Sequence, residues 1–373
     1  MKKSFSSKSV FKAPFGGLGA FVFLFFFSFS FSQEVPKTQN VILVTFDGYR
    51  WQEMFKGAEK KLINESKLVK DIPALKKNYW AGDKISSREK VTPFIWNTIA
   101  KQGSIIGERK NASKMQVTNI HRFSYPGYSE IFSGWANNKI NSNDYPDNPN
   151  YTIWDFLQAD EKFKNKIFAT ATWDAFTRII NTKRNGVPVQ INLKNENGIR
   201  ADGKLLYEKF TTTIPASNGF ITDDSLTYHV AKEYIVKNHP RFAFIGFDET
   251  DHFGHEGQYD SYLHSANQLD GYMQDLWNFI QSDPQYKGNT TLIITCDHGR
   301  GHLGKHMWQH HGGLAFSSNK IWLAAIGAGI KKQGVVKKGH FYQKQIAATI
   351  TQLFGKKFSE EKKIGKSIEE ILK

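Results

Sequence analysis

Three short apolar runs that each stop at acidic residues constrain this chain more than any other feature. They occupy residues 41–46, 242–247 and 291–296. Each has the length and unbroken apolar character of a strand buried on both faces, as in a parallel sheet. Asp47 follows the first run directly, Asp251 and His255 follow the second within a few residues, and Asp297-His298 follows the third. Open α/β sheets bind ligands at the carboxyl ends of their strands. Three distant segments are therefore expected to bring carboxylates and imidazoles to one sheet edge.

Helical patterns lie between the runs. Thr92-Pro93 reads as an N-cap and first turn, with Gly103 closing that helix. Residues 259–280 carry apolar side chains at Tyr262, Ala266, Leu269, Met273 and Leu276, and residues 342–354 form a further helix. Strands alternating with helices predict an α/β fold with a mostly parallel central sheet flanked by helices. Residues 185–219 are polar and weakly periodic and are expected to form a small cap or insertion over one end of the sheet.

Residues 1–32 read as a signal peptide. Lys2, Lys3, Lys8 and Lys12 precede a Phe-rich run, and Ser30 and Ser32 stand at the −3 and −1 positions of a cut before Gln33. The apolar stretch is short for a span of about 20 residues. The expectation is an exported chain, periplasmic or secreted, with no membrane attachment after cleavage and one catalytic domain over residues 33–373. The formal net charge is +15. Its lysines are scattered, with no arginine-rich arm, so specific nucleic-acid binding is not expected and attraction of a small anionic substrate is. The single cysteine, Cys296, rules out an intrachain disulfide and a cysteine-based zinc site.

His311 ends a loop from residue 298 that holds five of the twelve histidines. With the three strand-end segments it completes a set of three carboxylates and three imidazoles, which suits two divalent ions with mixed nitrogen and oxygen ligation. Any one of these residues alone reads equally well as a helix cap or a surface turn. A nucleophile candidate stands in Arg122-Phe-Ser-Tyr-Pro-Gly-Tyr-Ser-Glu130. Pro126 and the helix-like run after it put Ser124 at a helix N-terminus, where the macrodipole and free N–H groups favour an anion; the plainer reading is a simple cap. Ser129 and Ser133 fall inside that helix and are weaker candidates.

These motifs resemble the alkaline phosphatase superfamily, and within it the nucleotide pyrophosphatase/phosphodiesterase branch. Phe46-Asp47-Gly48-Tyr49-Arg50 is similar to the branch's Asp-Gly-Phe-Arg, and Thr92-Pro93 to its Thr-Pro-Asn helix. Ser124-Tyr125-Pro126 stands in place of Thr-Phe-Pro, Asp251-His-Phe-Gly-His255 fits Asp-x-x-Gly-His, and Asp297-His298-Gly299 and His311-Gly312 fit the last two motifs. Residues 345–350 resemble the C-terminal helix. The resemblance implies that Asp47, Ser124, Asp297 and His298 hold one metal, with Ser124 also attacking phosphorus, and that Asp251, His255 and His311 hold the other. It implies zinc as the usual metal, and an Asn some twenty residues after the nucleophile that binds a phosphoryl oxygen: Asn143 first, Asn141 second. It also implies a small phosphoester substrate, with a nucleotide among the candidates. The chain departs from the branch in having Ser for Thr, Gly127 for Asn and Tyr128 for His.

A diester substrate calls for an apolar wall, for which Trp173 is the candidate. A monoester calls for extra cations, for which Arg178, Lys183, Arg184, Arg300 and Lys305 are available. The resulting expectation is an exported two-metal phosphodiesterase or nucleotide pyrophosphatase working through a phospho-serine. The alternatives are an alkaline-type phosphomonoesterase and, in another class, a metal-stabilised polyanion- or glycan-binding protein. Cys296-Asp-His-Gly-Arg300 lacks the Pro or Ala of a formylglycine sulfatase motif, and Ser124-Tyr-Pro-Gly-Tyr128 lacks its final Arg.

Overall fold

A computed structural model of the protein describes residues 38–191, 223–358, 361 and 363–373. The three apolar runs are strands β1 (Asn40–Phe46), β6 (Phe242–Phe247) and β7 (Thr290–Thr295), the last ending one residue before Cys296. All three are buried along their whole length. They lie side by side, β7-β1-β6, at the centre of an eight-stranded sheet. On one side of them come β4 (Ile167–Ala171) and β5 (Val189–Ile191), and on the other β9 (Leu323–Gly327), β2 (Gly103–Ile106) and β10 (Gly334–Val335). Only β9 runs antiparallel, between β2 and β7, so the sheet is mostly parallel as expected. A separate three-stranded sheet joins β3 (Ser113–Gln116), β8 (Lys320–Ile321) and β11 (Gly339–Tyr342).

Neighbouring residues on β1 show how the two faces are covered. Thr45 reaches the phenol of Tyr128 on the helix Ser124–Ser133. Phe46 packs on Tyr49, which packs on Tyr262 of the helix Tyr259–Ser282. Successive strand residues point to opposite faces, so these two helices cover opposite sides of β1. That explains why β1 has no polar alternation.

The Thr92-Pro93 segment needs correction. Thr92 ends the helix Lys84–Val91, and the helix after it contains a π-helical turn at Ile95–Ile99 before Gly103 opens β2. Its capping acceptor is Asp270, from the middle of the Tyr259–Ser282 helix, which takes Phe94 N–H at 2.6 Å and Ile95 N–H at 3.0 Å. The Thr92 hydroxyl instead faces Arg88 O. Of the expected insertion near 185–219, residues 189–191 form edge strand β5, and residues 192–219 lie outside the described residues, as does the 1–32 segment. No helix among the described residues is long and apolar enough to cross a membrane.

Candidate active site

Sheet register aligns the carboxyl ends of the central strands. Thr45 pairs with Thr295 and Phe46 with Phe247, so continuing each strand places Asp47 level with Asp297 on one side and Asp248 on the other. Asp251 and His255 sit one turn apart on the helix Glu249–His255 that leaves β6, on the same face at i, i+4 spacing. His311 returns on the loop after β7. The expected residues do meet. His298 Nε2 lies 3.4 Å from Asp47 Oδ1, 3.4 Å from Asp297 Oδ2 and 3.9 Å from Asp251 Oδ1. Asp251 Oδ2 lies 3.0 Å from His255 Nε2 and 3.7 Å from His311 Nε2, and the two imidazole nitrogens are 2.8 Å apart. Ligand atoms converge in two groups, Asp47/Asp297/His298 and Asp251/His298/His311, with His298 common to both. The sequence reading assigned His298 to one group only.

The electrostatics of this cluster fit cations. His298 Nδ1 meets Gly299 O at 3.0 Å. A carbonyl can only accept, so Nδ1 carries the proton and Nε2 turns a lone pair toward the carboxylates. Burial, with His311 alongside, holds His298 well below the usual imidazole range, so the ring stays neutral. Asp47 Oδ1 and Asp297 Oδ2 are buried with no hydrogen-bond partner, a costly state. Burial, together with Asp297, pushes Asp47 up; burial, together with Asp251, pushes Asp297 up to about 8. A divalent cation among these atoms would satisfy both orphaned oxygens and the imidazole lone pair.

Ser124 opens its helix and is buried, with its hydroxyl 3.3 Å from His298 Nε2. The helix end offers fewer N–H groups than the sequence reading expected: Pro126 has none, and the N–H of Tyr125 donates to Asn143 Oδ1 at 3.0 Å. That bond places Asn143 next to Ser124, whereas Asn141 is exposed. Ser129 is bonded to Asn148 and Asn150, and Ser133 donates to the carbonyl of Ser129. Gly127 explains one departure from the branch pattern. A Cβ there would come within 2.8 Å of Asp297 O, so glycine lets the helix close on the β7 end. Tyr128 explains another, donating to Asp47 Oδ2 at 2.9 Å.

Most of the cations considered for a monoester are committed elsewhere. Arg300 is fully buried and bonds to Asp251 Oδ1, Trp308 O and Gln309 O. Burial alone would raise Asp251, but Arg300, His255 and His311 overcome it and hold the carboxyl well below its usual range. Arg184 is bound to Asp155 and the carbonyls of Asn148 and Asn150, Lys183 to Asp147, and Lys305 to Glu65. Arg178 stays near the site, 3.5 Å from Asn143 O. Trp173 is half-buried, 6.1 Å from the Phe176 ring, and Phe176 in turn packs 4.5 Å from Tyr128. The sequence reading missed the roles of Tyr128 and Arg300 as partners of Asp47 and Asp251. Their proximity to the motifs was the only signal. Cys296 is fully buried and its thiol is pushed up by burial and Asp297, which leaves it unfit as an exposed nucleophile.

The fold is of the alkaline phosphatase-like α/β class. Within that class the chain belongs to the type I phosphodiesterase / nucleotide pyrophosphatase family, whose sequence pattern matches residues 41–311. Its fold is similar to murine ectonucleotide pyrophosphatase / phosphodiesterase 5, solved as an inactive variant with AMP, at a TM-score of 0.54 and 15% identity over 90% of this chain and 100% of that one. Alkaline phosphatase PafA gives a TM-score of 0.58 at 12% identity, over 91% of this chain and 100% of that one. The phosphonate monoester hydrolase of Agrobacterium radiobacter gives 0.56 at 12% identity, over 90% and 77%. No curated protein sequence matches the chain.

Proposed function

We propose that the protein is an exported phosphodiesterase or nucleotide pyrophosphatase that uses two divalent ions, zinc by family habit, and a phospho-serine at Ser124. Asp47, Ser124, Asp297 and His298 would hold one ion and Asp251, His255 and His311 the other, with His298 near both. Such ions would supply Lewis acidity that favours the Ser124 alkoxide and steadies charge on the leaving oxygen. The Ser124 oxygen attacks phosphorus in line: the Oγ–P bond forms, the bond to the leaving alcohol breaks, and that alcohol takes up a proton. The Asn143 amide, oriented by Tyr125 N–H, donates to a non-bridging oxygen. Water then cleaves the phospho-serine, restoring the hydroxyl and releasing a phosphomonoester. Trp173, and Arg178 beside Asn143, would line the substrate's path.

The observation that carries this reading is the convergence of the orphaned Asp47 and Asp297 oxygens and the His298 lone pair beside the Ser124 hydroxyl. Support for a diester over a monoester comes from the committed cations, since a dianionic phosphoryl group asks for more positive charge. The test is hydrolysis of matched aryl phosphate mono- and diesters by the purified protein, with zinc and with chelator. Chelator-sensitive preference for the diester is expected. Preference for the monoester would overturn the diesterase assignment, and metal binding without turnover of either ester would point to a binding protein.

A further inference from the structure

A cavity of about 560 Å3 opens where the helix Trp51–Lys56 meets the helix Lys84–Val91. Both segments that join it to the sheet edge continue from site loops: Gln52 lies five residues beyond Asp47, and His302 five beyond Asp297. Gly57, at a φ of +68°, forms part of its wall; a side chain there would strike the backbone of Ser87 and Arg88. The size is that of a small-ligand pocket.

Its lining carries four lysines against two acids. Lys56, Lys60, Lys61 and Lys84 all line it. Glu59 shares Arg50 with Glu53, lying 2.8 Å from the guanidinium, and Asp83 is turned to its own helix end, accepting Ile85 N–H and Ser86 N–H, both at 2.9 Å, so the lining keeps an excess of positive charge. Among the described residues, none of Lys60, Lys61 and Lys84 has a carboxylate within ion-pair distance. Lys56 lies over the Trp51 ring; burial, with Lys84 nearby, pulls its ammonium down, against the opposing pull of Glu59, Glu53 and Glu108. The half-buried Trp80 supplies an indole to the same cavity. Unpaired ammonium groups around an aromatic wall suit a ligand with a phosphoryl anion at one end and a planar ring at the other.

We propose that this cavity is a nucleotide-binding site, separate from the Ser124 centre, taking ligands of the nucleoside monophosphate class with phosphate on Lys60, Lys61 and Lys84 and the base against Trp80. Binding is independent of any catalytic role for Ser124. The experiment is calorimetric titration of AMP into the full-length, metal-loaded Ser124→Ala protein, and into the same protein carrying Lys60→Glu and Lys84→Glu. The double charge reversal is expected to remove one AMP equivalent or weaken it at least tenfold, while Lys60→Arg with Lys84→Arg retains it. Lys61→Glu alone, a milder change on an exposed side chain, should weaken the same equivalent severalfold. Adenosine and ribose 5-phosphate should each bind the site at least tenfold more weakly than AMP. Equal stoichiometry and affinity before and after charge reversal would overturn the proposal. So would ribose 5-phosphate binding as tightly as AMP, which would leave no part for the ring. Because binding is read in a protein that cannot turn over, the result stands apart from whether the chain prefers diesters.

Discussion

The phenol of Tyr128 donates to Asp47 Oδ2 at 2.9 Å and leaves Asp47 Oδ1 facing His298. One oxygen of the carboxylate is thereby fixed and the other presented. Bonds of this kind orient metal ligands and typically matter about 10–100-fold in metal affinity or activity. Tyr128→Phe keeps the ring packing against Phe176 and removes only the donor. The expected result is a loss of that order in zinc affinity, measured by chelator competition. An unchanged affinity would mean that the bond does not position Asp47.

Arg300 plays the matching part for Asp251. It fills the space beside Gly254, where a Cβ would come within 2.8 Å of the guanidinium, and it takes Asp251 Oδ1 while Oδ2 faces His255 and His311. Removing one partner of a buried pair costs about 3–5 kcal/mol. Arg300→Met should destabilise the protein by that amount in denaturant unfolding and lower its metal content. Wild-type stability with full metal would sink the assignment.

Ser124→Ala removes the hydroxyl but none of the carboxylates or imidazoles. Turnover should vanish while metal stoichiometry by elemental analysis stays near that of the wild type. Full activity in the variant would send the search for a nucleophile elsewhere.

Chelation should soften the whole fold. The carboxyl edge holds buried acids pushed up by one another, so an ion bound there stabilises the folded state alone. At free metal about 100-fold above its dissociation constant, the gain is about 2.7 kcal/mol. Thermal unfolding with zinc and with chelator should differ accordingly. Coincident melting curves would argue against ions in this cluster.

Asp270 provides a pH test away from the metal ligands. Burial pushes its carboxyl up to about 7, even though two backbone N–H groups pull the other way. The folded state therefore holds the proton more tightly than the unfolded chain. This contribution to stability is complete below the ordinary value of 3.8 and is lost as pH rises to about 7. Across that window the slope reaches about −1.4 kcal/mol per pH unit for one proton. Asp270→Asn keeps an acceptor for the helix end and removes the titration. Denaturant unfolding between pH 5 and 7 should show a flatter profile in the variant; parallel profiles would reject the idea.

What the sequence discloses depends on whether a residue's job is local. The central strands could be read because burial on both faces leaves a continuous apolar run, and the ligands because each follows its run within a few residues. Ser124 could be read from the Pro two positions on. The cap on the Phe94 end could not, because its acceptor is Asp270, 176 residues downstream of Phe94. Arg300 looked like a free cation, since nothing in its neighbours announces that Asp251 folds against it. Tyr128 and Gly127 looked like departures from a pattern. In the fold, one supports Asp47 and the other makes room for the backbone of Asp297.

The order of the central strands also bears on how the chain comes to be folded. β1 pairs with β6 and β7, through contacts such as Val41 to Phe242 and Val41 to Thr291. During synthesis, the first strand to emerge must wait for more than half of the chain before it finds either neighbour. Sheets built from such distant pairings form slowly, and their unpaired apolar segments are prone to aggregate in the interval. Asp47, Asp251 and Asp297 come together only when both pairings close. Acquiring a metal centre and completing the fold are then one late event, and a chain stalled before β7 would carry the first ligand and never the site.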